Sequence, residues 1–192
     1  MPVRSATSLA FGGALLLALT APGQVLADTI LYCNDYNVGT DRMGQALSGY
    51  GSTHTITSTT SMSVCESYVL SYSWDLVIVA VQNWSVSLPN FNSYVASGGA
   101  AIHQDWTRDA TRGSLFGISY SSTNLNTVTV THSSLASGLA TNPFSLYNPG
   151  WGTWSMGMTS SLGYAATFSG GLGAIVVGAS GETIINGFLT DT

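Results

Sequence analysis

Three segments of the chain are continuously apolar and end in polar residues. They are TILYCND (29–35), WDLVIVAVQN (74–83) and AAIHQD (100–105). A strand that is apolar at every position is covered on both faces, which is typical of a parallel sheet between helices. The segment THTITST (53–59) alternates instead and is rich in β-branched residues, so it predicts an outer strand.

Short helices are predicted between these strands. Met43 and Leu47 stand four residues apart on one helical face. Ser63 and Glu66 form a capping-box pattern at the start of a second helix. The segment SLPNFNSYVASG (87–98) predicts a third helix that ends at its glycine. Strands that alternate with helices in this way predict an α/β fold with a doubly wound, mostly parallel, flavodoxin-like sheet of strand order 2-1-3-4-5.

The pattern changes after Thr107, where no further helix of clear period follows. NTVTVTH (126–132) and YAATFSG (164–170) predict strands. GAIVVGA (173–179) and ETIINGFL (182–189) are separated by a short turn and predict a hairpin. The C-terminal half is therefore expected to be a β-rich elaboration of the sheet.

The first residues predict a secretory signal peptide over 1–27. They contain one arginine, an apolar run from Leu9 to Leu19 and a small-residue exit before Asp28. Residues 28–192 have the length of one domain. The expected location is secreted or periplasmic, with no membrane span in the mature chain.

Charge and motifs exclude several kinds of partner. The chain has no lysine, four arginines and nine acidic residues, so nucleic acid has no electrostatic support as a partner. His54, His103 and His132 do not have metal-ligand spacing, and no glycine-rich dinucleotide loop is present. We therefore expect neither a metal nor a cofactor.

The two cysteines, Cys33 and Cys65, leave two interpretations open. In an exported chain a disulfide can form between them. Two separate buried thiols fit the sequence equally well. A catalytic cysteine is the weakest of the alternatives because no histidine neighbours Cys33.

Polar and aromatic residues follow the three apolar strands, where ligands bind in an open parallel sheet. If those strands are neighbours, their ends share one crevice. Asp105 is the candidate acid or base, assisted by His103 or Asp35. The candidate binding residues are Asn34, Tyr36, Gln82, Asn83, Trp84, Gln104 and Trp106. Each of them can equally well satisfy a turn or close the core.

The order of TILYCND, WDLVIVAVQN and GGAAIHQDW resembles the class I glutamine amidotransferase-like superfamily. NPGWGTWSMGM and AIVVGASGETIINGFLTDT further resemble an uncharacterised family of exported bacterial proteins on that fold. In the enzymes of the superfamily, a nucleophilic cysteine directly follows the strand that corresponds to 100–104. Here Gln104 or Asp105 occupies that position, and no histidine occurs in TIINGFLTD. The resemblance therefore does not imply glutamine hydrolysis.

Two functions are expected from these observations. The first is an exported, non-catalytic domain that binds a small molecule, glycan or protein at the carboxyl ends of the strands. The alternative is a hydrolase or lyase that acts on a small polar or carbohydrate substrate through Asp105 with His103 or Asp35. The superfold hosts many functions and does not decide between them.

Overall fold

The computed structural model describes residues 29–37, 39–82, 86–105, 107–147 and 155–190. Within them, eleven strands form one mixed sheet. The strands are β1 (Thr29–Asn34), β2 (Thr55–Thr59), β3 (Leu76–Val81), β4 (Ala101–Asp105), β5 (Ser119–Thr123), β6 (Thr127–Val130), β7 (Phe144–Ser145), β8 (Met156–Thr159), β9 (Ala166–Phe168), β10 (Gly173–Val177) and β11 (Thr183–Asn186). The helices are α1 (Arg42–Ser48), α2 (Met62–Ser71), α3 (Pro89–Ala96), α4 (Ala110–Leu115) and α5 (Ser133–Ala136). The predicted signal peptide lies outside the described residues.

The prediction of a doubly wound, mostly parallel, flavodoxin-like sheet is wrong. The strand order is β2-β1-β3-β4-β11-β10-β9-β6-β7, and the pair β5 and β8 joins the sheet through β10. Parallel pairing joins β2 to β1, β1 to β3, β3 to β4 and β4 to β11. The strands from β10 to β7 pair antiparallel, as do β5 and β8. The apolar runs located the individual strands, but they carry no information about which strand pairs with the far edge of β4.

The C-terminal hairpin supplies that partner. β10 and β11 pair antiparallel across a turn in which Gly181 has a positive φ of 79°. Glycine adopts this conformation without the steric cost that a Cβ brings. The predicted hairpin is confirmed, and its second strand lies beside β4 instead of at an outer edge.

Alternate residues of the central strands belong to two hydrophobic clusters on opposite faces of the sheet. We call them the Tyr32 face and the Cys33 face after two neighbouring residues of β1. The Tyr32 face carries Ile30, Tyr32, Ile78, Ile102 and Ile184 and is covered in part by Met43 and Leu47 of α1. The Cys33 face carries Leu31, Cys33, Val79, Ala101 and Ile185 and is covered by α2, α3 and Phe116. Because successive side chains of a strand point to opposite faces, neighbouring residues at a strand end enter different environments.

The start of α2 differs from the predicted capping box. The N-cap is Ser61, whose hydroxyl accepts a hydrogen bond from the backbone of Val64. Glu66 instead accepts backbone N–H groups of Asn90, at 2.7 Å, and Phe91, at 3.0 Å. These groups lie in the first turn of α3, which has no side-chain cap of its own. The carboxylate therefore holds two helices together by capping the second.

Cys33 and Cys65 form a disulfide that ties β1 to α2. Their Cα atoms are 5.9 Å apart, and both residues are fully buried. The two alternatives left open by the sequence are thus resolved in favour of the bridge. Among the described helices, none has the length and apolar character needed to cross a membrane.

We expect removal of this disulfide to destabilise the protein. The bridge closes a loop with a sequence separation of 32 residues, for which chain-entropy arguments give about 3–4 kcal/mol. The double variant Cys33→Ala/Cys65→Ala should therefore unfold roughly 10 °C below the wild type. Thermal unfolding followed by circular dichroism measures the difference. Reductant should lower the unfolding temperature of the wild type only, and an equal effect on the double variant would contradict the assignment.

Candidate functional site

The predicted crevice at the carboxyl ends of the strands is divided by the sheet into two environments. His103 and Asp105 of β4 lie on the Cys33 face, where the His103 ring contacts Phe91 and Phe116. Asn34 and Gln104 lie on the Tyr32 face because they alternate with those residues. The structure therefore brings His103 and Asp105 together and places Gln104 on the opposite side.

On the Cys33 face, Asp105 is the centre of a buried polar cluster. One carboxylate oxygen accepts hydrogen bonds from the backbone N–H of Thr107, at 2.5 Å, and from its hydroxyl, at 2.6 Å. The other accepts the hydroxyl of Tyr120 at 2.7 Å and lies 3.9 Å from Nε of Arg112. The side chain of Asp105 has no exposed surface. The carboxylate is thus held by hydrogen bonds from the following loop and from β5 and by the charge of an arginine from α4.

The cluster keeps Asp105 ionised. Burial alone would raise the pKa of its carboxyl group, but contact with His103 and the hydrogen bonds from Thr107 and Tyr120 outweigh burial and hold the pKa well below its usual range. The same surroundings raise the pKa of Tyr120. Burial, followed by the negative charge of Asp105, raises the pKa of its phenol far above its usual value. Tyr120 therefore acts as a neutral hydrogen-bond donor.

His103 is held in one orientation between backbone and carboxylate. Its Nδ1 lies 3.0 Å from the carbonyl oxygen of Val79, and since a carbonyl only accepts, Nδ1 carries a proton. Its Nε2 lies 3.4 Å from Asp105, which is longer than an ordinary hydrogen bond. The ring is completely buried. In this conformation neither His103 nor Asp105 reaches solvent or a groove.

Arg112 completes the cluster and was not predicted from the sequence. The residue is 1% exposed, although arginine is rarely buried without partners. Its guanidinium donates to the carbonyl of Val86 and the hydroxyl of Thr107, each at 3.2 Å, and pairs with Asp109 at 3.2 Å. Asp109 also caps α4, which positions the arginine. The one available signal was the scarcity of cations in the chain.

The remaining predicted residues lie in different surroundings. Asp35 accepts the backbone N–H of Gln82 at 2.7 Å and so joins the ends of β1 and β3. Gln82 is 7% exposed, whereas Tyr36 is 49% exposed. Asn83, Trp84 and Trp106 lie outside the described residues.

A groove of about 690 Å³ lies on the Tyr32 face between α1 and the edge strand β2. It reaches the carboxyl end of β1 at Asn34, which is 4% exposed. The groove is lined by Tyr32, Asn34, Asn37, Asp41, Gly44, Leu47, Ser48, Gly51, Ile56, Ser58, Thr59 and Thr60. Among the described residues of this lining, Asp41 is the one that is charged, so the groove combines polar and apolar surface with a single negative charge.

The polar end of the groove is rigid. The Tyr32 hydroxyl donates to Asp41 at 2.7 Å, and Asp41 also accepts the backbone N–H of Gly44 as the N-cap of α1. The amide nitrogen of Asn34 donates to the Tyr32 hydroxyl at 3.0 Å and to Asn37. These bonds fix the orientation of Asn34. Its carbonyl oxygen Oδ1 is buried and has no hydrogen-bond partner among the described residues.

Two further buried amides lie along the same face. Asn186, at the end of β11, is paired in register with Gln104 of β4. Gln104 accepts the backbone N–H and the hydroxyl of Thr190 at 3.2 and 3.1 Å. The sequence did not predict that Asn186 lies at this edge, because its position beside Gln104 depends on the pairing of β11 with β4. Among the described residues, no group of three or more histidine, cysteine or carboxylate side chains is arranged to hold a metal ion.

No protein-family model and no curated protein matches the chain. Among solved structures, the chain is similar to β-galactosidase from the psychrophilic Marinomonas ef1, with 11% identity, a TM-score of 0.49 and coverage of 86% of this chain and 27% of that one. It is also similar to SMU.1228c, with 11% identity, a TM-score of 0.52 and coverage of 85% and 77%.

The likeness to SMU.1228c concerns the fold alone at this identity. The chain spans only 27% of the length of the β-galactosidase. Neither name identifies a glutamine amidotransferase-like protein, so that resemblance stays a prediction.

We expect Asp105→Asn to lower the free energy of unfolding by roughly 2–4 kcal/mol at neutral pH, because it removes the charged acceptor that Thr107 and Tyr120 bond and that lies beside Arg112. The pKa of Asp105 is lowered in the folded state, so its charge stabilises the fold above the unfolded pKa of about 3.9. This contribution is lost as pH falls below that value. Urea titrations from pH 7 to 3 should therefore show the difference between wild type and Asp105→Asn narrowing below about pH 4.

Asp109→Asn is the matched control for this prediction. Asp109 pairs with the same arginine, but its side chain is 31% exposed, and asparagine also caps helices. We expect this variant to cost less than about 1 kcal/mol. A difference between wild type and Asp105→Asn that stays constant down to pH 3 would contradict the role of the Asp105 charge.

Proposed function

We propose that this protein is an exported, non-catalytic binding domain whose ligand is an uncharged, hydroxyl-rich small molecule of the sugar class. The ligand binds in the groove between α1 and β2, at the carboxyl end of β1. The observation that carries the proposal is the carbonyl oxygen of Asn34, a buried acceptor without a partner among the described residues at the polar end of this groove. A buried acceptor of this kind costs about 1–3 kcal/mol unless a donor reaches it.

The bonding of Asn34 determines which chemistry can satisfy it. Both protons of its amide nitrogen are directed to Tyr32 and Asn37, so the side chain offers an acceptor. A ligand must therefore donate an O–H or N–H group to this oxygen. Sugar hydroxyls do so without bringing a charge into the groove.

The charge of the groove supports an uncharged ligand. The described residues that line it include no arginine, and the chain has no lysine, so an anionic group would meet no cation from these residues. Asp41 would repel an anion, although one of its oxygens already accepts two hydrogen bonds. Ser48, Ser58 and Thr59 add hydroxyl groups along the wall of the groove. A few fixed polar groups beside apolar surface are typical of a small-molecule site.

The environment of the Asp105 carboxylate favours a binding function over a catalytic one. A general acid or base must come within hydrogen-bond reach of the substrate. Asp105 and His103 have no exposed side-chain surface and are engaged with Thr107, Tyr120 and the carbonyl of Val79. This arrangement is typical of a structural ion cluster.

Action outside the cytoplasm is part of the proposal. A disulfide such as Cys33–Cys65 persists in oxidising compartments. The predicted signal peptide over residues 1–27 would deliver the chain to such a compartment.

The proposal is tested by isothermal titration of the purified protein with glucose, galactose and N-acetylglucosamine, and with glucuronate as an anionic comparator. We expect at least one neutral sugar to bind more tightly than glucuronate. Asn34→Ala should weaken that binding roughly tenfold or more, because it removes the acceptor. Ser58→Phe places a ring in the groove from an exposed position and should abolish binding without disturbing the core.

Asn92→Ala is the matched control for Asn34→Ala. Asn92 is also partly buried and has an unpartnered carbonyl oxygen, but it lies on α3 at the opposite face of the sheet. The Asn92→Ala variant should bind sugar with the affinity of the wild type. If no neutral sugar binds, or if Ser58→Phe binds as the wild type does, the groove is not the ligand site.

A further inference from the structure

We propose that this protein forms a symmetric dimer through its edge strand β2. Two copies pair their β2 strands antiparallel around a two-fold axis at Ile56, so that the sheet of one copy continues into the sheet of the other. The partner is a second copy of this chain, and the inference does not depend on the proposed sugar ligand. We call the outer side of Thr55–Thr59, which faces away from β1, the β2 edge.

The β2 edge is open. β2 stands at one end of the strand order and, among the described strands, pairs with β1 alone. An edge strand presents a row of backbone N–H and C=O groups that point away from its sheet. Apart from the pairing with β1, no hydrogen bond between described residues involves the backbone of Thr55–Thr59. The edge is therefore available to a further strand.

The other edges of the sheet are protected against such pairing, and β2 is not. At the far end of the strand order, β7 has only two residues and directly follows Pro143. The side pair ends in β5, where the register is interrupted between Tyr120 and Ser122. Short strands, prolines and bulges are devices that prevent edge pairing. β2 has five residues in continuous register with β1 and contains neither proline nor a charged residue.

The sequence of β2 favours a second copy as the partner. Threonine stands at equal distances on both sides of Ile56, as Thr55 and Thr57 and again as Thr53 and Thr59. In a symmetric antiparallel pair centred on Ile56, each Thr55 lies opposite Thr57 of the other copy, and the two Ile56 side chains lie opposite each other. Cross-strand threonine pairs and pairs of β-branched residues stabilise sheets. The strand is thus complementary to itself.

Apolar surface beside the β2 edge supports the same contact. Helix α2 follows β2 and packs on the Cys33 face, where Glu66 reaches the start of α3. Val64 and Tyr68 are four residues apart and each two from Glu66, so they lie on the side of α2 away from α3 and towards β2. Val64 is 36% exposed, and the Tyr68 ring contacts Tyr72, which is 61% exposed. A second copy on β2 would cover part of this surface.

The two-fold axis lies beside the groove between α1 and β2. Ile56 and Ser58 line the groove and, being paired with Ile30 and Tyr32, belong to the Tyr32 face. Residues that lie opposite each other in an antiparallel pair point to the same face. Ile56 of the second copy would therefore stand next to Ile56 at the outer wall of the groove. The two grooves of the dimer would open side by side on one face of the continuous sheet.

The proposal is tested by sedimentation velocity on the purified protein at roughly 1 µM to 1 mM, the range of weak reversible association. We expect the measured mass of the wild type to approach twice that of the chain as concentration rises. Thr55→Lys/Thr57→Lys places lysines opposite one another across the axis, and like charges directly opposite destabilise strand pairing. This variant should remain monomeric. Thr141→Lys/Ser145→Lys adds the same charge at exposed residues beside and within β7 and should dimerise as the wild type does.

A charge exchange separates loss of pairing from loss of folding. Thr55→Glu/Thr57→Glu should also be monomeric by itself. An equimolar mixture of the lysine and glutamate variants should form a dimer with one copy of each, because opposite charges then face each other across the axis. A misfolded variant would not regain a dimer on mixing.

Hydrogen exchange of the wild type provides a measurement that needs no variant. The amide hydrogens of β2 that point outward should exchange roughly tenfold more slowly at concentrations where the protein is dimeric than where it is monomeric. A wild type that stays monomeric at about 1 mM, or a lysine variant that dimerises as the wild type does, overturns the proposal. A dimer in which the β2 amides exchange at the monomer rate also overturns it, because the contact then lies elsewhere.

Discussion

The parallel pairing of β11 with β4 is the interaction that joins the two halves of this protein. On one side of it lie the four parallel strands that the first part of the chain forms with its crossover helices. On the other side lie the antiparallel strands of the C-terminal part. The pairing also sets Asn186 beside Gln104 and returns Thr190 to the end of β4. The mixed topology of the sheet depends on it.

The two faces of the sheet have different chemistry at the same edge. On the Cys33 face, the carboxylate of Asp105 accepts hydrogen bonds from Thr107 and Tyr120 and lies beside the charge of Arg112, while His103 Nε2 and Arg112 Nε have no hydrogen-bond partner among the described residues. On the Tyr32 face, the amides of Asn34, Gln104 and Asn186 retain atoms without partners among the described residues. A groove opens beside Asn34 on the Tyr32 face, whereas the side chains of His103 and Asp105 on the Cys33 face have no exposed surface. This difference in access is the reason for placing binding on the Tyr32 face and structural support on the Cys33 face.

Sequence reasoning succeeded where structure is local. β1, β3 and β4 lie within their apolar runs, and the hairpin of β10 and β11 follows from a short turn. It failed where partners are distant in sequence, as for β11 beside β4 or Tyr120 on Asp105. The prediction that Gln104 and Asp105 share one crevice conflicts with the alternation of a strand, because adjacent residues point to opposite faces. The unsatisfied state of Asn186 carries no sequence signal, since it depends on what surrounds the side chain.

The buried Asp105 cluster also bears on how the protein opens. Its partners come from three consecutive elements: Thr107 in the loop and Tyr120 in β5 donate hydrogen bonds, and Arg112 in α4 provides an ion pair. Fraying of any one of them alone would leave a charge enclosed with fewer partners, which is costly. The segment from β4 to β5 should therefore exchange its amide hydrogens as one cooperative unit. A single carboxylate would then determine how much of the chain between β4 and β5 must unfold together.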